Sequence, residues 1–486
     1  MLLSLVYLPL IAGIIIFFIT NSIVRRFLFI LMAILHFMFT MYLTFFNKNA
    51  MGNNWFNLDP LGVLFLLITS TLFLGCAIYG LVYLKNEGKT KLEWEESLLF
   101  KNIPEAFFLG LLLLFLATTT LVTISRHFGI IWIAMEATTL CTAPLIYFHR
   151  SSSSLEATWK YLLICSVGIA LAFLGNLFLA AASSWGEEPF LIDNLLKCKN
   201  FNIPLLKISF LFFFVGYGTK MGLFPMHTWL PDAHSEAPSI VSALLSGTLL
   251  NCAFLSLLRS YQVLSAVNLA SFAQDIFLLF GLLSLLFTAF MLLNQKNYKR
   301  MLAYSSVENM GILSLGMGLG GNAIFAVMLH TAGHSLIKGA LFLTSGHFLS
   351  IYKTKLINEI SGALKLIPLS AIIWLFGFFA LIGTPPSLLF TSKLLLIKEA
   401  ILHHNILTIC IFLFSLGLIF FGMAKVFFQM TQGKANVVLL EKPKKLDTAF
   451  LTISQLIFLF IVIFSGMYFA PVLENLFIQA AKVLGG

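Results

Sequence analysis

The apolar positions of this chain come in blocks, each about as long as a membrane is thick. A helix needs about 20 mostly apolar residues to cross a bilayer. Stretches of that kind fall near 2–20, 27–46, 59–84, 106–123, 127–148, 155–182, 203–224, 238–260, 272–293, 301–318, 322–349, 366–396, 404–429 and 448–472. The pattern predicts an all-α polytopic membrane protein with about fourteen transmembrane helices. The tenth stretch is short and glycine-rich. The loops between stretches, the longest at about 85–105 and 183–202, are too short to fold as soluble domains.

Charge tests the count. Numbered in order, the odd loops hold seventeen Lys and Arg and the even loops seven. Positive residues collect in cytoplasmic loops, so the odd loops are expected inside and both termini outside. The N-terminal MLLSLVYLPL lacks a basic lead-in and a small-residue cleavage site, and reads as the first membrane helix. Residues 1–105 are expected to form helices 1–3, 106–260 helices 4–8, 261–430 helices 9–13, and 431–486 a basic cytoplasmic loop and the last helix.

Composition narrows the class. The chain is 59% hydrophobic and only 10% charged, against roughly 25% charged in soluble domains. Its net charge of +10 belongs to membrane topology, not to a nucleic-acid surface. Six scattered cysteines without a C-x-x-C pair give no iron–sulfur or disulfide framework. No Rossmann glycine pattern or haem signature is present, so no cofactor is expected.

One stretch breaks the apolar pattern. Gly216–Asn251 reads GYGTKMGLFPMHTWLPDAHSEAPSIVSALLSGTLLN. Pro225 and Pro231 each remove a backbone donor, which predicts a broken helix there. Asp232, His234 and Glu236 follow, either gating the break or capping the restarted helix. GTPPSLLFTSK supplies a second break at Pro385 and Pro386. In lipid, broken backbone is tolerated only where protein or a hydrated cavity surrounds it.

Ionisable residues remain inside the spans. Glu136 lies mid-helix and Lys220 just before the first break. His330, His334 and Lys338 recur every four residues and share one helical face. Lys393 follows the second break. Glu308, Lys160, Glu156 and Lys425 lie nearer span ends. A charge at membrane depth marks a functional site by default. A buried amine beside a carboxylate gains or loses a proton as its partner moves or hydration changes, and histidine titrates near neutrality. A row of such groups is a lateral proton wire. The bland alternatives are a static Glu136–Lys220 pair, snorkelling lysines at helix ends, and a metal held by His330 and His334. That helix has no acidic or Cys ligand for a metal, so no metal is expected.

Spans four to eight hold Glu136, Lys220 and the first break; spans nine to thirteen hold Lys338, Lys393 and the second. Five helices per unit makes one unit inverted relative to the other, as in transporters with broken helices in matching places.

FPMHTWLPDAHSEAPSIVSALLSGTLLN closely resembles the signature of the antiporter-like subunits of respiratory complex I, Mrp cation/proton antiporters and membrane-bound [NiFe] hydrogenases. IIWIAMEATTL, LEATWKYLLICSVGIALAFLGN, KRMLAYSSVENMG and LHTAGHSLIKGALFL look most like the hydrogenase-4 component F branch. The resemblance covers roughly Phe107 to Gln429. It implies fourteen helices with two inverted five-helix repeats and breaks in helices 7 and 12. It places Glu136 and Lys220 on the family's Glu–Lys pair, Lys338 on its central lysine with His330 and His334 beside it, and Lys393 on its terminal ionisable residue. Two departures stand out: Asn251 occupies a position where several relatives carry Lys, and Lys393 one where hydrogenase-type relatives often carry an acid.

The expected function is a proton- or Na⁺-translocating subunit of a complex I-like or hydrogenase-type oxidoreductase of the cytoplasmic membrane. It would carry no redox chemistry itself. Its partners would be other membrane subunits, a peripheral redox module and the lipid bilayer. The relay would run from Glu136 and Lys220 through His234, His330, His334 and Lys338 to Lys393. The alternatives are a subunit of a cation/proton antiporter or inorganic-carbon transporter without redox chemistry, and a structural subunit with inert charges.

Overall fold

The computed structural model describes residues 2–46, 53–87, 105–183, 188–198, 200–434 and 445–486. These residues are helical nearly throughout. In order the helices are α1 (Ser4–Phe18), α2 (Ser22–Phe45), α3 (Pro60–Glu87), α4 (Glu105–Ile124), α5 (Phe128–Ile146), α6 (Ser152–Ala182), α7 (Ile192–Lys197), α8 (Ile203–Met221), α9 (Trp229–Glu236) and α10 (Ser239–Leu244). A π-helical turn, Leu245–Leu249, leads into α11 (Leu250–Ala266). Then come α12 (Ala270–Leu292), α13 (Tyr298–Leu319), α14 (Ala323–Tyr352), α15 (Ala363–Leu366), α16 (Pro368–Ile382), α17 (Leu388–Leu402), α18 (Ile406–Thr431), α19 (Lys445–Met467) and α20 (Pro471–Lys482). Among the described residues β-pairing is confined to isolated bridges such as His127 with Leu191.

Every expected apolar stretch falls on helix, and the chain is a polytopic all-α membrane protein. Ten helical segments, with α10 to α11 counted as one, are long and apolar enough to cross a membrane. α1 and α16 are shorter apolar helices, and the end of α19 with α20 forms a pair bent by 82°. α13 is too polar to pass such a test, but it is buried along almost its whole length. Protein surrounds it, so its polar side chains cost less than they would against lipid. α20 was not foreseen, because its 12 residues are too short to span. Most of the basic loop expected near 431–445 lies outside the described residues.

Local chemistry sets the ends. Asn21, Asn202 and Asn297 cap α2, α8 and α13 with their side-chain oxygens, and Ser151 with Ser154 forms a capping box at α6. α8 and α16 both end on a left-handed glycine, Gly222 (φ 81°) and Gly383 (φ 88°), with proline following within three residues. A residue with a Cβ is strained in that conformation.

Burial is layered. The α10–α11 segment and α14 are buried almost completely, whereas α2, α6, α12 and α18 show wide apolar faces. Exposed Ile133 and Leu140 on α5, Leu163 and Val167 on α6, and Phe414 and Phe421 on α18 form part of that outer surface.

Loops of like parity meet. Asp59, ahead of α3, pairs with Arg126 (3.1 Å), between α4 and α5, and with Arg259 (2.5 Å), near the end of α11. Arg126 also reaches Asp193 on α7 at 2.5 Å. The two arginines hold the Asp59 carboxyl at about 2; burial alone would raise it. On the other face Arg26 pairs with Glu105 (2.8 Å), Lys160 with Asp232 (2.9 Å), and Lys355 with Glu236 (3.0 Å).

Candidate functional site

The first break is real but differs in detail from the sequence expectation. The chain leaves helix at Gly222 and resumes at Trp229, so Pro225 lies in the gap. Pro231 does not break anything. It sits in the first turn of α9, where a missing N–H costs nothing. Pro385 and Pro386 both lie in the gap between α16 and α17. Asp232 and Glu236 do not cap a helix. Asp232 pairs with Lys160 and with Arg300 (3.4 Å). Glu236 accepts from Lys355 and from the Ser153 hydroxyl (3.0 Å). Ser153, Lys160, Asp232, Glu236 and Arg300 line a polar cleft of about 550 Å³ between α6, α9 and the loop before α13.

Lys220 ends α8 and is completely buried. Its ammonium donates to the Met135 carbonyl and to Thr139 Oγ1 (2.5 Å) on α5. Glu136 shares that helix but points along its outer side, half-buried between exposed Ile133 and Leu140. Its carboxylate accepts from Ser166 (3.2 Å) and weakly from Thr139 (3.5 Å). Glu136 and Lys220 are therefore not in direct contact. Thr139 stands between them.

On α14, His330, His334 and Lys338 share one stripe as expected, all fully buried. Lys338 donates to the Leu302 carbonyl (2.6 Å) and to Ser305 Oγ on α13. His330 is held by Ser392 (2.9 Å) on α17 and Asn309 (3.0 Å) on α13. Both ring nitrogens of His334 lack partners, as do those of His234. The His234 ring stacks on Phe342 at 4.9 Å, and Lys338 Nζ lies 5.9 Å from the same ring. Lys393 on α17 donates to the carbonyls of Ile382 (2.9 Å) and Leu381 (3.3 Å) at the end of α16. Its ammonium lies 3.8 Å from Glu308 on α13.

The structure thus gathers His234, His330, His334, Lys338 and Lys393 around α14, and Glu136 with Lys220 around α5. Among the described residues no hydrogen bond joins Lys220 to His234. Polar bridges span the middle instead. Asn251 on α11 donates to Ser335 Oγ (2.6 Å) on α14, and Ser246 in the π turn pairs with Ser306 (2.8 Å) on α13. Asn251 neighbours Cys252, which lies close to Lys220.

Sequence reasoning left three participants out. Glu308 was noted as a buried charge but not joined to Lys393. Thr139 was not singled out. Lys299, counted with a loop, is buried and donates to the Ala237 carbonyl (2.6 Å) at the α9–α10 junction. Its signal was its place in KRMLAYSSVENMG, at the head of a helix that is buried along almost its whole length. The unassigned histidines are packed and paired: His36 with Ser70 and Thr120, His347 with Ser370.

Residues 125–419, which contain both clusters, match the family described as NADH:quinone oxidoreductase/Mrp antiporter, transmembrane. The chain belongs to this family. A hydrogenase-4 component F homologue of Methylacidiphilum infernorum is 34% identical over 403 residues, 81% of this chain and 83% of that protein. An NADH-quinone oxidoreductase subunit N from Desulforudis audaxviator is 28% identical over 69% of this chain and 64% of its own length. Among solved structures, a chain of respiratory complex I from Thermus thermophilus superposes with a TM-score of 0.82 at 25% identity, covering 100% of both chains. A chain of the Mrp complex from Dietzia sp. shares the fold, with a TM-score of 0.85 at 18% identity over 99% of this chain and 97% of that one.

Proposed function

We propose that the chain is the ion-translocating membrane subunit of a complex I-like or hydrogenase-type oxidoreductase, working in the cytoplasmic membrane beside other membrane subunits and a peripheral redox module. Family membership supports ion movement, and the named relatives belong to such complexes. The observation that carries the relay is the set of three lysines, Lys220, Lys338 and Lys393, buried among the helices and each beside a hydroxyl or an acid. Inert packing would be served as well by apolar side chains, and stripping a charge of water is costly.

Two matching units account for the geometry. In each, an acid comes from the second helix and a lysine from the fourth, beside a break that begins at a left-handed glycine. Glu136 and Lys220 fill these places in the first unit, Glu308 and Lys393 in the second. Fourteen crossings are supported by the loop contacts. Leu2 and Leu5 pack near Leu43 and Leu66, and Gln262 reaches the Val483 carbonyl, so both chain ends lie with the even loops. The charge bias supports that face being outside.

Protons would pass from Glu136 through Thr139 to Lys220, across the Asn251–Ser335 and Ser246–Ser306 bridges with water, and along α14 to Lys393. The test is pumping in vesicles. Lys220→Ala and Glu136→Ala should each allow assembly and abolish proton movement. Wild-type pumping by both variants rules the relay out.

A further inference from the structure

α16 stops at Gly383, and the carbonyls of Leu381 and Ile382 point past its end without helical partners. The last carbonyls of any helix are left free in this way and carry the negative end of its dipole. Here the occupant is the ammonium of Lys393, at 2.9 Å from Ile382 O and 3.3 Å from Leu381 O. A third oxygen, Glu308 Oε1, lies 3.8 Å away. The other carboxylate oxygen, Oε2, is buried and has no partner at all. Glu308 is only 1% exposed and Lys393 5%.

Two carbonyls and a carboxylate converging in a buried pocket make an all-oxygen site of the kind a hard cation takes. Oxygen donors of this kind suit alkali and alkaline-earth ions. Unwound carbonyls and half-helix C-termini hold Na⁺ in transporters with broken helices. In this chain the position is filled by a cation tethered to the protein itself.

We infer that Leu381 O, Ile382 O and Glu308 form a cradle for a monovalent cation, and that Lys393 occupies it as a built-in competitor, making this subunit carry protons and exclude Na⁺. The inference deepens the ion-translocation reading and names its ion. A tethered ammonium competes at a high effective concentration that dissolved Na⁺ must exceed. Two positive charges cannot share one cradle. When Lys393 gives up its proton, charge leaves by way of that proton and the amine stays on its stem.

The experiment measures radiolabelled Na⁺ binding to the purified complex and the Na⁺ dependence of its pumping, with choline chloride holding ionic strength constant. Wild type should bind no Na⁺ at this chain and pump equally with or without NaCl. Lys393→Met removes the ammonium and keeps the bulk; it should gain saturable Na⁺ binding. Adding Glu308→Gln should abolish the gain. Lys393→Gln, whose amide can still donate to the carbonyls, serves where Lys393→Met fails to assemble, and should gain weaker binding through the freed Glu308. Na⁺-dependent pumping by wild type overturns the inference, as does an assembled Lys393 variant that binds no Na⁺. Loss of the relay reading would appear separately, as normal pumping in Lys220→Ala and Glu136→Ala.

Discussion

Thr139 is hydrogen-bonded to both the first acid and the first lysine, so removing its hydroxyl tests the connection directly. Thr139→Val replaces the hydroxyl with a methyl of nearly the same volume, and packing at this buried position is preserved. Lys220 then keeps only the Met135 carbonyl, and Glu136 keeps Ser166. A hydrogen bond to a charged group contributes about 1.5–3 kcal/mol. If that energy is lost from the state that passes the proton, the rate falls roughly 10- to 150-fold. The assay is proton pumping in proteoliposomes, with complex assembly followed on a native gel. Thr139→Ser, which keeps the oxygen, should pump close to wild type. Combining Thr139→Val with Glu136→Gln should cost little more than Glu136→Gln alone, because the two residues act in one path. Wild-type pumping by Thr139→Val, or losses that add fully, would refute the bridge.

Other outcomes follow from the same geometry. Asp59→Asn takes the carboxylate from Arg259, which is buried, and should destabilise the protein by about 3–5 kcal/mol, read from thermal unfolding in detergent. Asp59 also sets an acid limit. Its folded value of about 2 lies below the ordinary ~3.9, so its contribution is present above about pH 4 and is lost as pH falls towards the folded value. The wild type should lose roughly 2–3 kcal/mol across that window and Asp59→Asn should not. Gly466→Ala would drive a Cβ into the Pro386 carbonyl at the second break. It should cost about 1–3 kcal/mol of stability and slow pumping, measured on the same preparation. Lys160→Ala acts on a partly exposed pair with Asp232 and should shift stability by under ~1 kcal/mol.

The features legible in the sequence were those that water and lipid treat most differently. Blocks of apolar residues located the helices, and the isolated charges within them located the site. Pro225 and Pro385–Pro386 marked the breaks because proline cannot continue a helix. Pro231 misled, since the same residue in a first turn is harmless, and only the place where helix resumes tells the two apart. Pairings across helices were hidden. Nothing in SSVENMG says that Glu308 will face Lys393, some 85 residues later, because that depends on the angle at which α13 meets α17. The indirect contact between Glu136 and Lys220 was hidden for the same reason: a rotation of α5 by about 60° decides whether the acid or Thr139 faces the lysine.

Across both units the buried lysines share one mode of support. Lys220, Lys338, Lys393 and Lys299 all donate to main-chain carbonyls of a neighbouring segment: Met135, Leu302, Leu381 with Ile382, and Ala237. Beside Lys220 and Lys338 stands a hydroxyl, Thr139 or Ser305. A carbonyl holds an ammonium through a partial charge. A carboxylate in direct contact would hold it with a full one and lock the proton in place. Here the acids stand back. Glu136 is one hydroxyl away from its lysine and Glu308 is at 3.8 Å. Coulomb energy falls with distance and is steep at low dielectric. Small movements of α5 against α8, or of α13 against α17, therefore tune a hold on the proton that starts out weaker than in a tight ion pair. A partner subunit pressing on the exposed stripe of α5 that carries Glu136 would act on that distance directly.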